Sequence, residues 1–248
     1  MLIEVGQVEA IFRYPVKSMA GEALGVASLG WHGLDGDRRL AFRRMNDRSG
    51  MPWLTATKLP DLVRFVPLRR GDGADHLPTH VRTPEGEELP VFSDELAEDV
   101  GRRYGSPVQM MQLRNGIFDD AAISVIAAET MCEIGRLAGL DLDVRRFRPN
   151  VVVRLLQPRA FQEDEWLNGV LFFGEGDNAP SVAVTTRDLR CAMVNLDPDT
   201  ARLSPQVMKA IVRVNQNNAG VYGTITHTGE LAVGQTIFLQ TPSQKRER

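Results

Sequence analysis

The chain predicts a mainly β protein with a few helices, an α+β class built on a barrel or sandwich. Three observations carry that expectation. Short segments of β-branched or alternating apolar residues recur along the chain; Gly, Pro and Asp punctuate them; and three windows with helical periodicity stand apart without a βαβ alternation.

Ile3 to Val16, Ala23 to Leu29, Arg38 to Met45 and Leu62 to Leu68 read as strands. THVRTPEGEELPV, from Thr79, reads as two more around a Pro-Glu-Gly-Glu turn. A first helix should start after Ser93, a side-chain cap followed by Asp94 and Glu95 at the positive end, and stop near Gly105. ISVIAAETMCEIGRLAGL, from Ile123 to Leu140, is expected to be the longest helix. Ser124 would cap it, Val125, Ala128, Met131, Cys132 and Leu137 would form its apolar side, and Gly139 would close it, placing Cys132 in the core. A third helix fits SPQVMKAIVRVNQN, with Ser204 as cap and Pro205 at the first position, where a missing N–H costs nothing. Val221 to Thr226 and Leu231 to Leu239 should then form a hairpin around HTGE, leaving residues 242–248 as a frayed polar tail.

A length of 248 residues allows one large or two small domains, and a net charge of -3 with 25% charged residues is an ordinary balance that asks for neither nucleic acid nor a membrane surface. Glu4 stands where a secretory leader would be basic, and no apolar run approaches the roughly 20 residues that span a bilayer. A cytoplasmic protein is therefore expected. The 2 cysteines form no CxxC, so neither a disulfide scaffold nor a four-cysteine zinc or iron–sulfur site is expected.

Two motif matches fail on context. GEGDNA, from Gly174, fits the dinucleotide fingerprint but is followed by Pro180 and a strand-like run instead of a helix, so it reads as a hairpin loop. His76 and His80 have helical zinc spacing, yet Pro78 separates them in an extended segment. The more informative residues are polar ones at strand ends. Lys17 and Ser18 follow Pro15; Arg38 and Arg39 point to opposite faces, so one must turn inward and find an anion; and Arg148 and Asn150 flank Pro149 before the apolar run Val151 to Val153. Each has a plain alternative, a solvated lysine or an arginine in a structural ion pair. Together they would suit a phosphate-bearing ligand. Cys191 taken locally favours packing, although Arg187 and Arg190 beside it would favour a thiolate.

YPVKS, DGDRRLAF, FRPNVVV, EDEW, RCAMVNLDPDT, GVYG and VGQTIFL occur in this order from residue 14 to residue 239. This series resembles the MOSC family, named for the C-terminal domain of molybdenum cofactor sulfurase, and within it the amidoxime-reducing components and their bacterial relatives. The resemblance implies two β-barrel-like domains, an N-terminal one over 1–117 and the MOSC domain over 118–241, with the molybdenum cofactor between them. It implies Cys191 as the protein ligand of molybdenum; Lys17, Ser18 and Arg38 at the phosphate end of the cofactor; Arg148 and Asn150 lining it; and Asp120 near the metal as a proton relay. The implied activity is reduction of N-hydroxylated compounds, amidoximes or hydroxylamines, by oxygen-atom removal. Electrons would come from a separate protein of ferredoxin, flavin reductase or cytochrome type. The alternative is a non-catalytic carrier of cofactor or sulfur that uses Cys191. Three positions depart from the family pattern: Thr57 replaces an arginine, Met19 a cysteine and Ala201 a glycine, the last a minor change unless that position needs a positive φ.

Overall fold

The protein is described by a computed structural model that covers residues 2–71, 76–118, 120–176 and 178–241; the tail expected to fray, 242–248, lies outside the described residues. Among the described residues there are sixteen strands: β1 Leu2–Arg13, β2 Glu22–Leu24, β3 Val26–Gly30, β4 Gly33–Leu34, β5 Leu40–Arg44, β6 Val66–Leu68, β7 His80–Arg82, β8 Glu88–Pro90, β9 Val108–Gln112, β10 Ile123–Ala127, β11 Val151–Leu155, β12 Val170–Phe173, β13 Ser181–Leu189, β14 Asn218–His227, β15 Gly229–Ala232 and β16 Thr236–Gln240. Three α-helices accompany them among the described residues, α1 Asp94–Tyr104, α2 Ala128–Ala138 and α3 Gln206–Asn215.

Seven strands close a barrel in the order β11-β10-β14-β13-β12-β16-β1, with β1 pairing back onto β11. Closure removes the open edges that such a sheet would otherwise present. Val8, Ile11, Val125, Val151, Val153, Leu171, Phe173, Val182, Val221 and Ile237 point inward from it, and Trp166 of EDEW fills the interior. Each such side chain contributes roughly 1.5–3 kcal/mol through burial. Gly6 is required where β1 meets β11, because a Cβ there would lie 2.1 Å from the Arg154 carbonyl oxygen. The expected division at residue 117/118 is one of sequence: the barrel draws strands from both sides of it, since β1 lies between β11 and β16.

A second core gathers Val16, Met19, Leu40, Phe42, Leu54, Phe65, Val81, Leu96 and Val100 under the β5–β9 pair, the β6–β7–β8 sheet and α1. Leu196 joins it from the far end of the sequence, which ties the segment after Cys191 to the N-terminal half. A third cluster packs α2 and α3 on the outside of the barrel through Ile134, Val207 and Ile211 against Phe12, Ile126 and Val152.

Several elements match their sequence signals. Ser93 Oγ accepts from the Leu96 N–H and Gly105 ends α1 in the left-handed conformation at φ 81°. β7 and β8 pair around the Pro-Glu-Gly-Glu turn, and GEGDNA joins β12 to its antiparallel partner β13. The expected helix from Ile123 is wrong at its start. Ser124, Val125 and Ile126 are buried in β10, because a short β-branched run enclosed by neighbours on both sides forms a strand more readily than a helix. The helix begins at Ala128, its buried stripe is Thr130, Met131, Ile134 and Gly135, and Cys132 is exposed, not in the core. β10, α2 and β11 thus form one parallel strand–helix–strand crossover that the sequence pattern had hidden. Leu62 belongs to a 3-10 turn, Pro60–Arg64, ahead of β6. The C-terminal hairpin does not form either: β14 pairs with β13 and β10, β15 with β3, and β16 with β1 and β12, so closing the barrel overrides local pairing.

Candidate active site

A cleft of about 350 Å³ opens where the second core meets the barrel. Lys17, Ser18, Arg38, Arg148, Asp120 and Cys191, six of the seven residues singled out in the sequence, line it together. Asn150, the seventh, does not reach the wall. It stands behind Arg38, 1% exposed, where its Oδ1 accepts from the Ser124 N–H at 3.1 Å and from Arg38 Nη1 at 3.3 Å while its Nδ2 donates to Asp37 Oδ2 at 3.1 Å.

The cationic wall is knitted from three loops. The Arg38 N–H donates to the Tyr14 carbonyl at 2.8 Å, and the Lys17 N–H donates to the Leu40 carbonyl at 2.8 Å, so YPVKS and DGDRRL hold each other. Arg38 is the inward member of its pair, and its anionic partner is its own neighbour Asp37, which also accepts the Tyr14 N–H at 2.7 Å. Arg38 Nη2 donates to the Arg148 carbonyl at 3.0 Å, which brings in FRPN. Burial alone would lower the Arg38 pKa, but the Asp37 carboxylate overcomes this and raises it, so the guanidinium keeps its charge. Arg39 instead donates to the Leu113 carbonyl at 2.7 Å.

Ser18, Arg38 and Arg148 all have positive φ, at 67°, 50° and 51°. For residues with a Cβ this conformation costs roughly 1–2 kcal/mol each, and strain of that kind collects at ligand-holding positions. Tyr14 supports two of these residues from below: the Arg148 guanidinium lies 4.1 Å from its ring centroid and that of Arg38 lies 5.2 Å away.

The opposite wall comes from the end of β13. Cys191 is exposed and sits just past the strand, ahead of a 3-10 turn over Ala192–Asn195, so its sulfur is not packing. Arg187 has no part in this wall: it donates to Asn215 and pairs with Asp164 at 2.9 Å. Arg190 lines the cleft, but Asp188, 2.8 Å away, matches its charge, and the carbonyls of Ala219 and Phe147 take its N–H groups. Gly220 of GVYG makes room for that arginine; at φ 85° a Cβ would stand 2.8 Å from the Val125 carbonyl and 3.2 Å from Arg190 Nη2.

Sequence reasoning missed Asp37, Tyr14, Asp188 and Tyr222, although each lies inside or beside a quoted motif; their spacing gave no sign that they would meet. Thr57 does line the cleft, with its Oγ1 2.8 Å from Thr55 Oγ1, so two hydroxyls occupy the region where the family pattern has an arginine. Lys17, Arg38, Arg146, Arg148 and Arg190 outnumber Asp120 and Asp188 on the wall, and the balance favours an anionic ligand.

Residues 92–238 match the family model described as MOSC domain. The chain belongs to the MOSC family. That places it among domains related to molybdenum cofactor sulfurase and bears out the resemblance carried by the motifs. In fold, this MOSC protein is similar to the crystal structure of the YuaD protein from Bacillus subtilis, with a TM-score of 0.53 and 14% identity over 98% of this chain and 100% of that one. YiiM from Geobacillus stearothermophilus matches over 50% of this chain and 56% of its own, at 18% identity and a TM-score of 0.38. No curated protein sequence matches. Among the described residues no helix is long and apolar enough to cross a membrane.

Proposed function

We propose that the cleft holds the molybdenum cofactor and that the protein is an oxidoreductase for N-hydroxylated substrates. The observation that carries this reading is the exposed Cys191 on the wall of the same cleft as Lys17, Ser18, Arg38 and Arg148. The donor set fits such a group. Cationic strand ends suit a phosphate monoester, and one thiolate is the soft donor that a molybdenum dithiolene centre accepts from protein. Among the described residues no cluster of three or more His, Cys, Asp or Glu offers another metal site.

Lys17, Ser18 and Arg38 would bind the phosphate end, with Arg148 beside them and Asn150 and Asp37 fixing the arginine. When bound, the cofactor supplies a two-electron metal able to remove an oxygen atom from an N–O bond. Cys191 sets which end of the cleft faces the substrate. Asp120, which also lines the cleft, would hold a proton at its carboxylate for the water that leaves. Thr55 and Thr57 present hydroxyls instead of charge on the substrate side, and electrons come from a separate carrier protein.

Protein produced in a host that makes the cofactor should contain about one molybdenum per chain and reduce benzamidoxime with an artificial donor. Cys191→Ser should lose the activity while remaining folded. Molybdenum near zero in the wild type would defeat the reading; stoichiometric metal without turnover would favour a carrier.

A further inference from the structure

Resting on the functional reading above, we propose that Leu189 selects the substrate: it forms an apolar contact beside Cys191 that favours uncharged N-hydroxylated compounds carrying an aryl or alkyl group over anionic ones. One short stretch, residues 188–194, supplies Asp188, Leu189, Arg190, Cys191, Met193 and Val194 to the lining of the cleft. It is the wall that a molecule meets at the candidate metal ligand.

Burial alternates along the start of this stretch. Asp188 and Arg190 are 1% and 7% exposed, whereas Leu189 is 63% exposed and Cys191 is exposed as well. β13 ends at Leu189, and Cys191 keeps an extended backbone at φ -94° and ψ 171°. Successive side chains of an extended chain point to opposite sides. Leu189 and Cys191 therefore share the open side, about 6–7 Å apart at the usual rise of roughly 3.3 Å per residue. The two charged side chains turn inward and pair at 2.8 Å, and the Ala219 and Phe147 carbonyls take further Arg190 donors.

Charge thus divides the cleft. Lys17, Arg38 and Arg148 come from other loops, after β1, before β5 and before β11, and in the functional reading the phosphate end of the cofactor takes them. Within residues 188–194 the one negative and the one positive charge cancel, and Leu189, half-buried Met193 and buried Val194 offer hydrocarbon. Asp120, whose carboxylate also lines the cleft, sets a like charge against an anionic substrate. A leucine scattered on a surface needs no explanation. This one lines a cleft two residues from the candidate ligand, and its backbone alone serves the fold by pairing with Asn218 in β14. Its side chain is left for the ligand.

The test uses the full chain made in a host that supplies the cofactor, with benzamidoxime, acetamidoxime and 4-carboxybenzamidoxime as substrates. Leu189→Ala should lower kcat/KM for benzamidoxime relative to acetamidoxime by about tenfold, the scale of a lost apolar contact in a substrate pocket. Leu189→Lys should reverse the preference for benzamidoxime over 4-carboxybenzamidoxime, a gain that mere loss of structure cannot produce. Binding is read separately, without an electron donor, by saturation transfer from the protein to the ring protons of benzamidoxime, and it should weaken in Leu189→Lys. Ratios that move in neither variant, or ring-proton transfer as strong in Leu189→Lys as in the wild type, overturn the proposal. Molybdenum near zero in the wild type defeats the functional reading instead, and the binding comparison then still decides this one.

Discussion

Asp37 and Glu163 are buried to the same depth, 1% and 0% exposed, yet their surroundings differ in kind. Asp37, under the cleft, faces a guanidinium as well as the Tyr14 N–H and the Asn150 amide. Glu163, beside the start of α2, has no cation in contact among the described residues. It accepts from the Thr130 hydroxyl at 2.8 Å and the Ala127 N–H at 3.3 Å, at the start of α2, where Ala127 offers no side-chain cap. One carboxylate orients an arginine and the other ends a helix. Burial costs a charge in both places; hydrogen bonds return part of that cost, and a cation in contact returns more.

Breaking the first arrangement should have the largest effect. Asp37→Ala leaves the Arg38 charge, the Tyr14 N–H and the Asn150 amide without their shared acceptor. Removing one partner of a buried pair destabilises by about 3–5 kcal/mol. Chemical denaturation should show that loss, and molybdenum content should fall with it. Asp37→Asn, which retains an acceptor, should lose less stability while still losing the tight hold on Arg38. Equal stability of wild type and Asp37→Ala would remove the pair from the account of the cleft.

The second arrangement should reveal itself through pH. Burial pushes the Glu163 pKa up from 4.5 to about 7, and hydrogen bonds from its own backbone, Thr130 and Ala127 offset this only in part. An acid whose folded pKa is raised binds its proton more readily folded than unfolded. Its contribution is therefore complete below the unfolded pKa of 4.5 and is lost as pH rises through about 7. Wild-type stability should fall across that window by on the order of 3 kcal/mol from this group. Glu163→Gln should flatten the fall, as read from denaturation midpoints between pH 5 and 8. A slope identical to wild type would show that Glu163 titrates as an ordinary carboxylate.

The same contrast explains which parts of the site could be read in the sequence. Lys17, Ser18, Arg38, Arg148 and Cys191 were visible because ordered motifs carry their residue types, and the fold brings those motifs to one cleft; Asp120, outside every motif, was placed by the family resemblance alone and lines the same cleft. Asn150 was visible as a motif residue, but its depth was not, since being one residue past Pro149 does not say whether a side chain reaches a wall or stands behind it. The support under the cleft was illegible. Asp37 and Tyr14 meet because DGDRR and YPVKS bond through their backbones, a contact that no periodicity signals. The two cysteines were assigned opposite environments, and both prove exposed: Cys132 because the helix begins at Ala128, which shifts its buried face, and Cys191 because β13 ends before it. Barrel closure defeated the hairpin reading in the same way. β14 and β16 find partners far away in sequence, and local turn chemistry cannot name them.

Ala201 should give the smallest effect, with the opposite sign. The family pattern has glycine here, and the structure holds Ala201 at φ 57°, so the condition that makes the substitution matter is met. Its N–H donates to the Asp197 carbonyl at 2.9 Å, and Asp197 in turn pairs at 2.8 Å with Arg146, which lines the cleft. Ala201→Gly relieves a left-handed conformation worth about 1–2 kcal/mol and adds chain entropy to the unfolded state worth about 0.4–1 kcal/mol. The difference should stabilise the protein by roughly 0.5–1 kcal/mol, a small rise in denaturation midpoint with unchanged metal content. A decrease would mean that the turn after Asp197 relaxes away from the left-handed region in solution.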